Sequence, residues 1–315
     1  MFKYLSLVHK SSGISQGLSL TESQLGFKWS DAFDPEQFGH VDDWGYERAA
    51  VMFNIAAVLS FLATHEDRQT DDGIKRATQF FQQSAGMLSA LRDIVKSAPW
   101  KASADLSSDT LATLQTLMLA QGQKCFYEKA EREGKSVTIV AKLAAECAGL
   151  YEDVSMSIAA ARSSQRPISS MTNEWLSVVE WNRLLFDGMQ HYHLSKVHLE
   201  KNEYGKQVAR LTHAVNRCAE AVNACAAAAP VLREQFVRAH TNAAEAHRVA
   251  KKDNDLIYSE KASAVWRAAP FALSPPPPRP LPSPLTKPRW HPCDAPSVPS
   301  PRTNPSDEPL LMNPS

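Results

Sequence analysis

The sequence predicts an all-α protein, a helical solenoid or extended bundle followed by a proline-rich tail, on three observations. Apolar residues recur at 3–4 spacing through one segment after another. No stretch sustains the period-2 alternation of a half-buried strand. Before residue 260 the prolines are Pro35, Pro99, Pro167 and Pro230, each between helical patterns; beyond it they crowd the chain.

A first helix is expected from about Trp44 to His65, with Met52, Ile55, Val58, Leu59 and Leu62 on one side. Its apolar run, Val51 to Ala63, contains Asn54 and falls short of the roughly 20 residues of a membrane span. Thr70-Asp-Asp-Gly73 is a capping turn for a second helix that turns Ile74, Ala77, Phe81, Leu88, Leu91 and Val95 inward. Ser107-Ser-Asp109 caps a third, with Leu111, Leu114, Met118 and Cys125 as its stripe, and Gly134 separates it from a fourth over Ser136 to Ile158. Trp175, Val178, Leu185, Met189 and Tyr192 mark a fifth. A sixth carries Val208, Leu211, Val215 and Val222 and stops at Pro230. The last, about Val231 to Tyr258, uses Leu232, Phe236, Ala239, Ala243 and Val249. Short loops between long helices make consecutive helices antiparallel neighbours. The body therefore spans residues 1–262. Residues 263–315, with Pro275 to Pro282 at their centre, are expected to be polyproline-like or disordered.

Bulk composition removes several function classes. The 315 residues are 43% hydrophobic, enough for a real core, and the net charge of zero lacks the basic footprint of a nucleic-acid binder. Five cysteines with no CxxC pair read as buried thiols in a reducing compartment, and the first ten residues do not form a secretory signal. A cytoplasmic protein with at most peripheral membrane contact is expected.

Candidate chemistry is sparse. His191, His193 and His198 do not converge along one helix: residues two apart point to different sides, and seven apart span about 10 Å. Cys218 and Cys225 fail on the same spacing. There is no Gly-rich phosphate loop, GxSxG or HExxH, so no catalytic residue, metal or cofactor is expected. Arg279-Pro-Leu-Pro-Ser-Pro284 resembles an SH3 ligand, although Leu285 breaks a clean RxxPxxP. Tyr258, behind Asp253 and Asp255 at a helix end, is a candidate phosphorylation site.

The fourth helix is the informative one. Val137, Val140, Ala144, Cys147, Tyr151, Val154 and Ile158 form one seam. Ile139, Leu143 and Leu150 lie about 60–100° to one side of it as a second apolar stripe. Two readings stay open: a solenoid helix sandwiched between neighbours, or one that offers its second stripe to an amphipathic helix from a partner.

Phe27-Lys-Trp-Ser-Asp-Ala-Phe33, Gly45-Tyr-Glu47 with Phe53-Asn54, Asp71-Asp-Gly-Ile-Lys75, Met118-Leu-Ala-Gln-Gly-Gln123, Ala141-Lys-Leu143 and Lys251-Lys-Asp-Asn-Asp-Leu-Ile-Tyr258 occur in order. Together they resemble the Bro domain of the ALIX family. The resemblance implies an all-α, curved helical solenoid with a tetratricopeptide-like core. It also implies an adaptor that binds the C-terminal amphipathic helix of an ESCRT-III subunit, the Snf-type charged multivesicular body protein. Such an adaptor acts in endosomal sorting and membrane scission and is recruited to endosomes. On the matching positions, the family's groove aromatic falls on Phe126, its two aliphatic groove residues on Ile139 and Leu143, and its polar rim on Asp71 and Lys75. The alternative within the family is a signalling scaffold of the pH-response or Rho-binding type.

The family's N-terminal strands and closing portion are not recognised around these segments, so a partial domain is expected, with apolar solenoid faces left uncovered and stability reduced. Neither a coiled-coil V domain nor a phosphatase domain is recognised.

Overall fold

In the computed structural model the described residues are 26–34, 36–165, 168, 173–228 and 230–262. They belong to the first of two units, Met1–Ala264 and Val265–Ser315. The Arg279–Pro284 segment and the remainder of the proline-rich tail lie outside them.

Among the described residues a two-stranded antiparallel hairpin comes first: β1 (Phe27–Ser30) pairs with β2 (Phe38–Val41), Phe27 opposite Val41 and Ser30 opposite Phe38. The expectation of no strands is corrected here. The alternation is present in Phe-Lys-Trp-Ser but lasts four residues, too few to rise above noise in a period-2 search. Seven α-helices follow: α1 (Trp44–His65), α2 (Asp71–Lys96), α3 (Ser108–Arg132), α4 (Val137–Ser163), α5 (Asn173–Glu200), α6 (Tyr204–Ala224) and α7 (Pro230–Asp253). Each packs mainly against the next in sequence, as short connections require.

The caps sit where the side chains dictate. Thr70 Oγ1 accepts the Gly73 N–H at 3.0 Å and Ser107 Oγ accepts the Thr110 N–H at 3.2 Å, each satisfying an orphan donor of a first turn. Elsewhere the boundaries move. Ala159, Ala160 and Ala161 carry α4 beyond Ile158 to Ser163 because alanine favours the helix. Helix α6 stops at Ala224, short of Pro230, and Pro230 opens α7 instead, at a position where its missing N–H costs nothing. After α7 the chain widens into a π-helical turn, Asn254–Tyr258, closed by Ser259 at φ 50°. Buried Asn254 holds that end, accepting the Glu260 N–H at 3.3 Å and donating to the Glu260 carbonyl at 2.9 Å.

The core is continuous along the stack, from Tyr46 and Met52 through Phe81, Leu91, Leu111, Tyr127, Tyr151 and Phe186 to Phe236. The fourth-helix seam is buried as the periodicity requires: Val140, Ala144, Cys147, Tyr151, Val154 and Ile158 all face inward. Helix α1 is more apolar than its one expected stripe. It is long and apolar enough to cross a membrane by length and composition, yet half of that window is buried, and Ala49, Met52 and Ala56 belong to the main core. Val58 and Leu62, expected inward, are exposed with Phe61, as are Trp175 and Val178 of α5. Cys125, Cys147, Cys218 and Cys225 are buried free thiols. Burial pushes the Cys218 thiol up to about 12, so it is inert at neutral pH.

A reciprocal carboxylate brace ties the hairpin to the stack. Asp105 Oδ2 accepts the Ala32 N–H at 3.1 Å, and Asp31 Oδ2 accepts the Asp105 N–H at 3.0 Å. Asp105 Oδ1 also accepts the Leu106 N–H, and burial raises the Asp105 carboxyl above the ordinary range. Removing that side chain orphans sheltered backbone donors. Asp105→Ala is therefore expected to cost about 1–3 kcal/mol in urea unfolding; an unchanged midpoint and slope would show the brace to be idle.

Candidate partner-binding groove

The geometry of the α3–α4 pair begins at its turn. Gly134, at φ 62°, takes a left-handed conformation that a Cβ would strain, and it ends α3 in a Schellman-type closure. The Lys135 N–H reaches the Ala130 carbonyl at 3.0 Å and the Gly134 N–H reaches the Glu131 carbonyl at 3.1 Å. Helix α4 starts three residues later, so the two helices run antiparallel in a fixed register. Gln123 Nε2 donates to Glu146 Oε2 across them at 3.0 Å. One turn further along α3 comes Phe126, and one turn back along α4 comes Leu143, with Ile139 a turn beyond. Counted from that bond, Phe126, Leu143 and Ile139 fall toward one side of the α3–α4 pair.

Exposure separates Phe126 and Ile139 from the core, against which Leu143 still packs. Phe126 is 43% exposed and Ile139 48%, whereas Tyr127, the next residue on α3, is 5% exposed. Leu143 and Leu150 are half-buried along the same edge of α4. Leu119, two turns before Phe126 and 41% exposed, extends the strip toward Leu150. The sequence reading missed Leu119. Its i, i+7 relation to Phe126 was the available signal.

Helix α2 lines the other side of α3. Asp71 and Lys75 are exposed one turn apart, and Thr78, a further turn on, reaches Cys125 of α3, so this face of α2 turns toward α3. Asp71 does more than stand at a rim. Arg132 NH2 donates to Asp71 Oδ1 at 2.5 Å while Arg132 NH1 donates to the Arg68 carbonyl at 2.7 Å, tying the start of α2 to the end of α3. The Asp71 side chain nonetheless stays largely exposed. As a wet ion pair it contributes little to stability by itself.

Beneath the strip the stack is stiff. Tyr127 packs edge-on to Phe186 at 5.2 Å, and Tyr151 lies parallel to Phe186 at 6.1 Å, joining α3, α4 and α5. The Tyr127 hydroxyl meets His193 Nε2 at 3.0 Å, and His193 pairs with Glu131. Lys124, on the same helix, reaches Asn182 Oδ1 at 3.2 Å and Gln235 Oε1 at 3.3 Å, and burial lowers its ammonium below the ordinary range. His198 turns away to Glu203 at 2.6 Å, so the three histidines close in sequence do not converge. Tyr258 lies apart from the groove, 42% exposed, its ring stacked on Tyr204 at 3.5 Å.

Comparison with known proteins agrees with this architecture. "Apoptosis-linked gene 2-interacting protein X 1" of Caenorhabditis elegans is 32% identical over 256 residues, 78% of this chain and 28% of that protein. The pH-response regulator protein palA/RIM20 of Emericella nidulans is 34% identical over 238 residues, 74% of this chain and 27% of that protein. The chain thus spans little more than a quarter of the length of these relatives. Among solved structures, an ALIX BRO1–CHMP4C complex matches with a TM-score of 0.70 at 27% identity, covering 78% of this chain and 68% of that one. The model of the BRO1-like domain matches residues 4–271, and the chain belongs to that family.

Proposed function

We propose that this chain is a non-catalytic adaptor whose α2–α3–α4 groove takes the C-terminal amphipathic helix of an ESCRT-III subunit, in endosomal sorting and membrane scission. It would work from the cytoplasm, recruited to the endosomal surface. The observation that carries the reading is the exposure of Phe126 on α3 and Ile139 on α4 beside half-buried Leu143, while the α4 seam from Val140 to Ile158 is taken up by the core. The ALIX BRO1–CHMP4C complex, matched over 78% of this chain, supports an ESCRT-III subunit as occupant. A partner helix would lay anchors at i, i+3, i+4 and i+7 against the strip, each buried side chain worth about 1.5–3 kcal/mol before ordering costs. Lys75 and Asp71 would set its orientation rather than its affinity.

Ile139→Asp tests this directly, since a carboxylate facing an apolar anchor is desolvated without a partner. Calorimetry with a peptide of the CHMP4-type C-terminal helix is expected to show at least about 100-fold weaker binding than wild type. Phe126→Ala is expected to weaken binding while moving stability by less than about 0.5 kcal/mol, because the ring is outside the core. Tyr127→Ala, one residue on, is expected to cost about 3–5 kcal/mol. Wild-type affinity in a folded Ile139→Asp chain would sink the ESCRT-III reading. It would leave the signalling scaffold, which the palA/RIM20 relative favours.

We also propose Tyr258 as a phosphorylation site. Asp253, Asp255 and Glu260 surround it in sequence, and Glu260 is part of the Asn254 clamp. A phosphate there would repel those carboxylates and lift the ring from Tyr204, opening the π-helical turn. Treatment with a cytosolic tyrosine kinase should add one phosphate that Tyr258→Phe removes; equal phosphate incorporation into both chains would exclude the site.

A further inference from the structure

We propose that Asp187, His191 and His213 form a binding site for a divalent transition metal of the Zn2+ class, clamping α5 to α6. Asp187 and His191 are one turn apart on α5, the i, i+4 arrangement that places two ligands on one helix face. His213 comes from α6 and meets them: its Nε2 is 3.4 Å from Asp187 Oδ2, and His191 Nε2 is 3.8 Å from Asp187 Oδ1. All three donor atoms fall within 4.8 Å of one another. Tetrahedral zinc, with ligand bonds of about 2.0–2.1 Å, needs donors about 3.3 Å apart. The two imidazoles approach opposite oxygens of the Asp187 carboxylate, at 3.4 Å from Oδ2 and 3.8 Å from Oδ1, so an ion would draw one oxygen and both rings inward from the 4.8 Å within which the donors already lie.

The surroundings orient the ligands. Gln190 Nε2 donates to Asp187 Oδ1 at 2.8 Å and Arg217 Nε lies 2.8 Å from Asp187 Oδ2, so outer partners fix the carboxylate as they do in metal sites. The three side chains are sheltered, at 19%, 8% and 17% exposure, yet not sealed from solvent. The helices also meet closely here: a Cβ on Gly188 would lie 2.6 Å from Cys218 Sγ. Two imidazoles and one carboxylate suit zinc, copper, nickel or cobalt rather than magnesium or calcium.

Two neighbours, Arg210 and Arg217, oppose the ion. Arg210 NH1 lies 3.0 Å from His191 Nδ1 and is a donor only, so in this state the His191 proton sits on Nε2. Metal ligation through Nε2 requires that proton to move to Nδ1 through solvent, with no net change in protonation, and Arg210 to swing out. Arg217 adds a second positive charge, partly answered by Glu220 at 2.7 Å. A glutamine at position 210 would reverse the sign of this contact, since its carbonyl oxygen accepts from Nδ1–H.

The test uses the full chain without a histidine tag, stripped with chelator and titrated with Co2+ as a spectroscopic probe and with Zn2+ in equilibrium dialysis. Wild type is expected to bind one equivalent, with a ligand-field spectrum of low symmetry and a rise in Tm on Zn2+ addition. His213→Ala and the near-isosteric Asp187→Asn should lose both signals while keeping the helical circular-dichroism spectrum. Arg210→Gln should bind about 10-fold more tightly. Absence of uptake by wild type, uptake that survives in folded Asp187→Asn, or no gain in Arg210→Gln would each overturn the proposal.

Discussion

The groove depends on the register between α3 and α4, and that register is set by a turn of a few residues. Gly134 ends α3 in a left-handed conformation and returns the chain at once. Because both helices are long, 25 and 27 residues, an error of one residue there would propagate along the whole pair. It would rotate α4 by about 100° and carry Ile139 and Leu143 away from Phe126. The Gln123–Glu146 bond is a checkpoint on that register, because only one alignment brings the two side chains together.

Keeping an apolar strip in water is unfavourable unless the scaffold behind it prevents collapse. On α4 the seam and the residues that join the strip are different faces, so the helix is held by its inner contacts whether or not the strip is covered. The Tyr127–Phe186–Tyr151 cluster supplies size and shape, and the Tyr127–His193–Glu131 chain satisfies the polar ends that such large residues bring inside. A pre-formed strip spares a binding helix the cost of ordering its receptor, which is where rigid surfaces gain affinity over flexible ones.

Much of this was legible because helical periodicity and capping are local. Thr70, Ser107 and Gly134 each announce a boundary through their own backbone chemistry, and the α4 seam follows from spacing alone. The second stripe was visible too, though its exposure was not: whether Ile139 meets a neighbouring helix or solvent depends on where α3 and α5 pack. Non-local pairings were out of reach. Nothing adjacent to Asp71 names Arg132, and nothing adjacent to Asp31 names Asp105. The hairpin was too short to show a period. Spacing along one helix speaks only to His191, His193 and His198, whereas His213, across the interface on α6, completes a cluster with His191 and Asp187.

The Asp71–Arg132 pair shows how a rim charge acquires its role. In isolation an exposed carboxylate at a helix N-terminus is explained by the macrodipole alone. Its second attachment changes that, because Arg132 binds both the Asp71 carboxylate and the Arg68 carbonyl and so anchors the α1–α2 connection to the end of α3. If the proposed groove is the binding site, Lys75, a turn further on, would start from a helix end that this tether holds rather than from a frayed one. A charge carried on an anchored helix end would oppose a helix laid in the wrong direction more effectively than one on a mobile backbone, since the penalty for like-charge contact could not be relaxed by moving the backbone. The apolar residues of the groove would decide whether a helix binds, and the tether at Asp71 would decide which way round it lies.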